Sequence, residues 1–206
     1  LSERQRLILV RHGQTTANVA RLLDSKPPGA GLTELGTEQA VEAAERLAGE
    51  PVVAVYASVA LRAQQTAAPI AARHDLPVQV LENIHELQIG PQYEGQGGAE
   101  AYTEFERVFS QIIDGDLDAG MPGGGETARQ LLDRFLPAVA KVTAEHPSGT
   151  IVLVSHGAAI RLAGTALAVN LDAHQGLLYV PNAQQVVLEP EETAWRCREW
   201  TGIDFE

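Results

Sequence analysis

Two apolar runs in the sequence end in a histidine followed by a glycine: Leu7-Ile8-Leu9-Val10-Arg11-His12-Gly13 and Ile151-Val152-Leu153-Val154-Ser155-His156-Gly157. An imidazole can act as a nucleophile, pass a proton or ligate a metal, and the adjoining glycine lets a ligand approach the backbone closely. A third string, Ser58-Val59-Ala60-Leu61-Arg62-Ala63-Gln64-Gln65-Thr66-Ala67, puts Arg62 in the first turn of an expected helix. A cation is unfavourable there unless it brings an anion to the helix terminus. A fourth string, from His85-Glu86-Leu87 through Gly90 to Tyr93-Glu94-Gly95, carries Glu86 into a glycine-bearing loop as a candidate proton donor. Each string alone has a plainer reading, because strand-end histidines are commonly hydrogen-bonded structural residues and surface arginines and glutamates are commonly just solvated. Taken together, they describe an anion site with a nucleophile and an acid in it.

Composition narrows the chemistry. The chain has 15 Lys plus Arg against 27 Asp plus Glu, a net charge of −12, and only Lys26 and Lys141 are lysines. No nucleic-acid partner is expected of such a chain. A phosphate dianion would instead need a small, concentrated positive site set against the protein's own field, and the planar, permanently charged fork of arginine suits that task. Cys197 is the single cysteine, so no internal disulfide can form. Neither His12 nor His156 has a partner at metal-motif spacing and no Asp or Cys cluster accompanies them, so neither a metal nor a cofactor is expected. No membrane-length apolar run is present, and residues 1–6 lead straight into a strand without a signal-peptide core, which points to a cytoplasmic protein.

The elements that must hold these residues follow from periodicity. Strands are predicted at residues 7–10, 52–57, 78–81 and 150–154 and helices at 33–47, 61–72, 128–145 and 158–168, with Pro69 bending or interrupting the second helix. Two closing strands, 183–188 and 195–200, are predicted around an acidic turn at 190–192. This βαβα alternation predicts a three-layer α/β/α sandwich with a mostly parallel sheet, built as one domain over residues 1–206. In such sheets ligands bind at the carboxyl ends of strands, where His12 and His156 both fall. Residues 83–126 loosen into loops around one amphipathic piece, 101–113, and form the candidate cap or specificity segment. Pro122-Gly123-Gly124-Gly125-Glu126 is not followed by the Gly-Lys-Ser/Thr of a phosphate loop and reads as a turn before a helix. His74, His85, His146 and His174 are expected to be caps or surface groups, and Cys197 part of the packing around Trp195.

The ordered set of strings resembles the histidine phosphatase superfamily in its phosphoglycerate-mutase-like branch. The resemblance runs from Arg11-His12-Gly13-Gln14-Thr15 with Asn18, through Leu32-Thr33-Glu34-Leu35-Gly36 and residues 58–67, to the Glu86 loop, residues 122–127 and Ser155-His156-Gly157. It implies that His12 accepts the phosphoryl group, that Arg11, Arg62 and His156 hold its oxygens, and that Glu86 is the general acid. It further implies that Thr15, Asn18 and Gly157 line the phosphate pocket. The chemistry is consistent: a neutral imidazole attacks phosphorus, a carboxylic acid protonates the leaving alkoxide, and its carboxylate then helps water attack the phosphohistidine. Arg11 and Arg62 should keep His12 neutral by disfavouring imidazolium. Homodimers are common among relatives, and a homodimer is an option for this chain.

Members of the superfamily include mutases, phosphomonoesterases and silent binding modules. Glycolytic mutases carry a Glu-Arg-His-Tyr-Gly-like string at the acid loop, where this chain has Glu86-Leu87-Gln88-Ile89-Gly90. Holding a second anionic group needs further cations, and Arg107 is the only one in residues 83–126, with Arg21 and Lys26 as outside candidates. A phosphomonoester hydrolase acting on a small metabolite with an uncharged or partly apolar leaving group is therefore expected, with a mutase as the alternative. A silent module would have lost His12, Arg62, Glu86 or His156, and all four are present.

Overall fold

In the computed structural model, which describes residues 4–205, the apolar runs assemble into one seven-stranded sheet. The chain passes through β1 (Arg6–Arg11), α1 (Thr16–Ala20), α2 (Glu34–Arg46), β2 (Val52–Ala57), α3 (Leu61–Arg73), β3 (Val78–Val80) and α4 (Ala99–Ile113). It continues through α5 (Ala128–Glu145), β4 (Thr150–Ser155), α6 (Gly157–Leu167), a 3-10 turn (Ala173–Leu177), β5 (Gln185–Glu191), β6 (Ala194–Trp200) and β7 (Ile203–Asp204). The strand order is β3-β2-β4-β1-β5-β6-β7. The first four strands are mutually parallel, whereas β5, β6 and β7 each run antiparallel to the preceding neighbour.

The central strands read as unbroken apolar runs because both faces of the sheet are covered. Side chains alternate across a strand, so Leu7, Leu9, Ile151 and Leu153 enter one core with α4, α5 and α6. Ile8, Val10, Val152 and Val154 enter the other with α2 and α3. These are the three layers that the alternation predicts. α4, in the middle of the 83–126 segment, contributes Val108, Phe109, Ile112 and Ile113 to the first core, so that segment is bonded to the sandwich by burial of its apolar face.

Local chemistry sets the helix starts. Thr33 caps α2 by accepting from the amide of Gly36, and Thr127 with Gln130 forms a capping box at α5, directly after the glycine-rich turn predicted there. Pro69 lies inside α3 without interrupting it, and Pro137 lies likewise inside α5. At the C-terminal end two expectations shift. Ala183 is left-handed, with φ 58°, and donates to the carbonyl of Arg11, so β5 begins only at Gln185. The strand then runs through Pro190, past its last pairing with β1 at Leu188, where a missing amide donor is tolerated, and the turn falls after Glu191. The short α1 and β7 carry too few residues for a periodic signal and were not anticipated.

Candidate active site

The sheet register brings the two histidines together. β1 and β4 pair in parallel with Arg11 opposite Ser155, so the next residue on each strand is a histidine. The His12 amide donates to the Ser155 carbonyl at 3.0 Å, and the two imidazole centroids lie 5.2 Å apart. Nδ1 of His12 is 2.8 Å from the carbonyl oxygen of Gly13. A carbonyl can only accept, so Nδ1 carries the proton and Nε2 keeps its lone pair. Burial, followed by the charges of Arg11 and Arg62, pushes His12 well below the usual histidine pKa, against a smaller opposing effect of the Gly13 carbonyl. His12 is therefore a neutral imidazole, 4% exposed.

The loop that holds His12 depends on two close backbone approaches. A Cβ on Gly13 would lie 2.4 Å from the carbonyl oxygen of Gly36, and a Cβ on Gly36 would lie 2.0 Å from that of Gln14. Only glycines allow the first turn of α2 to press on this loop, which gives the Leu32-to-Gly36 string its physical role. The loop is also tied to α3, because the Gly13 amide donates to Thr66 Oγ1, which itself donates to the Arg62 carbonyl.

His156 sits fully buried behind His12 at the start of α6. Its Nε2 is 2.7 Å from Ser58 Oγ, and that oxygen also lies 3.3 Å from the Ala60 amide, which donates to it. In the tautomer that carries its proton on Nδ1, Nε2 accepts from the Ser58 hydroxyl. Burial first, then Arg62 and His12, hold His156 well below the usual histidine pKa. Its Nδ1 has no hydrogen-bond partner among the described residues.

Two arginines flank this pair. Arg11, the last residue of β1, donates through Nη1 to Tyr179 Oη and to the Val180 carbonyl, both at 2.7 Å. Arg62, 2% exposed in the first turn of α3, donates to Asp24 Oδ2 at 3.2 Å and to the Asp24 carbonyl at 2.8 Å. Burial lowers its pKa below the usual arginine value, with Asp24, Glu86 and Glu94 opposing the shift. Glu86 lines the same cavity. Its carboxylate accepts from the amides of Leu87 (2.8 Å), Ala158 (3.2 Å) and Ala159 (2.9 Å), the last two at the amino end of α6. Behind it, Arg134 pairs with Glu126 at 2.6 Å and donates to the carbonyls of Asn83, His85 and Glu86.

Thr15 and Asn18 form the capping box of α1. Asn18 Oδ1 accepts from the Thr15 amide and from Asn182 Nδ2, which leaves the Asn18 amide nitrogen as the group that can donate to a ligand. Of the residues singled out from sequence, Arg11, His12, Thr15, Asn18, Arg62, Glu86 and Gly157 reach the wall of one cavity of about 660 Å³, and His156 lies behind it. Arg21 also reaches the cavity, whereas Lys26 does not. Arg107 is absent from the wall and pairs with Glu104 on an exposed face of α4.

Sequence reasoning missed Arg161, Tyr179, Asn182 and Asp24, which also line this cavity. Arg161 had a signal, being the only charge in the otherwise apolar α6 and lying five residues after His156. Asp24, Tyr179 and Asn182 lie in loops and had none. Of the other histidines, His74 and His146 cap α3 and α5, and His174 falls in the 3-10 turn. His85 is half-buried near Arg134, which together with burial lowers its pKa. Among the described residues no group of three or more His, Cys, Asp or Glu could hold a metal ion, and no helix is long and apolar enough to cross a membrane.

Known proteins resemble this chain over most of its length. The family model for the histidine phosphatase superfamily (branch 1) matches residues 7–202. A metal-independent phosphoserine phosphatase of Arabidopsis thaliana is 32% identical over 205 residues, covering 98% of this chain and 83% of that protein. A glucosyl-3-phosphoglycerate phosphatase of Mycobacterium tuberculosis is 30% identical over 171 residues, covering 79% and 75%. Among solved structures, a mycobacterial glucosyl-3-phosphoglycerate phosphatase in complex with VO3 superposes with a TM-score of 0.81 at 30% identity, covering 97% of this chain and all of that one.

Proposed function

Because the chain belongs to the histidine phosphatase superfamily, we propose that it hydrolyses phosphomonoesters of small metabolites through a phosphohistidine on His12, without a metal ion. The single observation that carries this reading is a neutral imidazole whose unprotonated Nε2 belongs to a ring on the cavity wall, between two arginines. Arg11 and Arg62 take the place of the metal that many phosphoryl-transfer enzymes use to balance the transferring charge.

In the first step Nε2 of His12 forms a bond to phosphorus while the bond from phosphorus to the ester oxygen breaks. Glu86 gives its proton to that oxygen, so an alcohol leaves rather than an alkoxide. His156, in the tautomer whose Nε2 accepts from Ser58, donates through Nδ1 to an oxygen of the phosphoryl group on His12, which gives that buried nitrogen a partner. The Asn18 amide nitrogen takes another oxygen. In the second step the Glu86 carboxylate removes a proton from water, the water oxygen bonds to phosphorus, and the bond to Nε2 breaks. Inorganic phosphate leaves and both residues return to their starting states. Within one domain, residues 83–126 act as the cap, because Tyr102, Phe105 and Glu106 of α4 line the cavity.

Phosphate release from phenyl phosphate in the presence of a chelator tests this reading. Wild-type protein should turn over unaffected by the chelator, and His12→Ala should lose about 10³-fold or more of kcat. Full activity in His12→Ala, or dependence on added metal, would sink the mechanism, and a wild type inert toward every phosphomonoester tried would favour a binding module.

A further inference from the structure

The two arginines beside His12 are held by different means. Arg62 is paired with the Asp24 carboxylate, which orients it and offsets part of its charge. Arg11 is held instead by two neutral oxygens, since its Nη1 donates to the Tyr179 hydroxyl and to the Val180 carbonyl, each at 2.7 Å. These bonds use both protons of Nη1. The edge formed by Nε and Nη2 remains, and arginine can bind an oxyanion along such an edge through two parallel hydrogen bonds. On that edge Nε is buried and has no partner among the described residues. A Cβ on Gly157 would lie 3.3 Å from this Nε, so the absence of a side chain there leaves the edge room at the start of α6.

The loop that supplies the two acceptors is pinned at both ends. Trp200 Nε1 donates to the Leu178 carbonyl at 3.3 Å, Asn182 Nδ2 donates to the His12 carbonyl at 3.0 Å, and the Ala183 amide donates to the Arg11 carbonyl at 3.0 Å. Tyr179 is 61% exposed and adds little to the core, yet its backbone is tied to the residue whose side chain it holds. Its ring also lies beside the guanidinium, with 5.2 Å between Arg11 Cζ and the ring centroid. Neutral acceptors direct a cation without cancelling it. Arg11 therefore offers its full charge, already oriented, to the oxygens of a transferring phosphoryl group.

We propose that Tyr179 is a positioning residue that acts through Arg11, directing its Nε–Nη2 edge at the phosphoryl group. This inference rests on the phosphatase reading above. Tyr179→Phe tests it, because the variant keeps the ring and removes only the hydroxyl. On phenyl phosphate its kcat should fall about fivefold while KM stays within about twofold of wild type, the pattern of an interaction made in the transition state. In the unliganded protein, NMR of the Arg11 guanidinium should show rotation about Nε–Cζ faster by about fivefold or more, because one charge-assisted hydrogen bond is gone. The thermal midpoint should not move, as the lost group is exposed. A wild-type kcat in the variant, a change confined to KM, a fall in kcat with Arg11 rotating as in wild type, or a lowered thermal midpoint that accounts for the loss would overturn the inference. Each of these leaves the phosphatase reading standing if wild type hydrolyses phenyl phosphate, whereas a wild type inert toward every phosphomonoester tried would overturn both.

Discussion

Two neutral histidines buried side by side make stability depend on pH in a definite direction. His12 and His156 have folded pKa values well below the ordinary 6.5, so between those values the unfolded chain binds more protons than the folded one. Stability is complete above about pH 6.5 and is lost as the pH falls toward the folded values, by up to about 1.4 kcal/mol per pH unit for each histidine. The half-buried His85 acts in the same direction. The thermal midpoint should therefore drop between pH 7 and pH 5, and His12→Asn should flatten that dependence by removing one titrating group. An unchanged slope in the variant would show that His12 is not held neutral. At this scale the sequence was most legible for residues fixed to strand ends, since a histidine after an apolar run can only emerge at the rim of the sheet. It was silent on Asp24 and Asn182, which act through loops whose path no periodicity encodes.

Among the elements, the Glu86 loop has no regular structure and borrows its rigidity from its neighbours. Arg134, one side of which faces that loop from α5, donates to three of its carbonyls while paired with Glu126, and both side chains are largely buried. Removing one partner of a buried pair leaves an uncompensated charge and costs about 3–5 kcal/mol. Arg134→Met should therefore lower stability by about 3 kcal/mol, measured by denaturant unfolding, and should lower kcat more than it raises KM because Glu86 loses its position. A kcat equal to wild type would mean that the amides of Leu87, Ala158 and Ala159 hold Glu86 without help. The sequence showed residues 122–126 as a turn but could not show that Glu126 reaches back to the amide of Gln88, because that hydrogen bond spans 38 positions. The helix caps are local by contrast: Thr33 and Thr127 bond amides only three residues away.

For the molecule as a whole, the layered architecture was readable because strand and helix periods alternate cleanly, whereas the sheet order was not, since it depends on which strands meet after long excursions. That order sets when an active protein can exist. β4 lies between β2 and β1, and β1 lies between β4 and β5, so the two halves of the chain alternate across these four positions and neither supplies two adjacent ones. A chain cut in the exposed loop after α4, between Gly115 and Asp116, would leave β1, β2 and β3 on one piece and β4 to β7 on the other. Neither piece alone should show cooperative unfolding or phosphatase activity, and mixing them should restore both; a first piece that folds by itself would contradict this. During synthesis His12 emerges before β4 and has no neighbour on its β4 side until residues 150–155 have left the ribosome and slid into the gap. The order of manufacture thus keeps the reagent harmless until the enclosure around it is closed, and it offers a way to make two separately expressed fragments report on their own meeting.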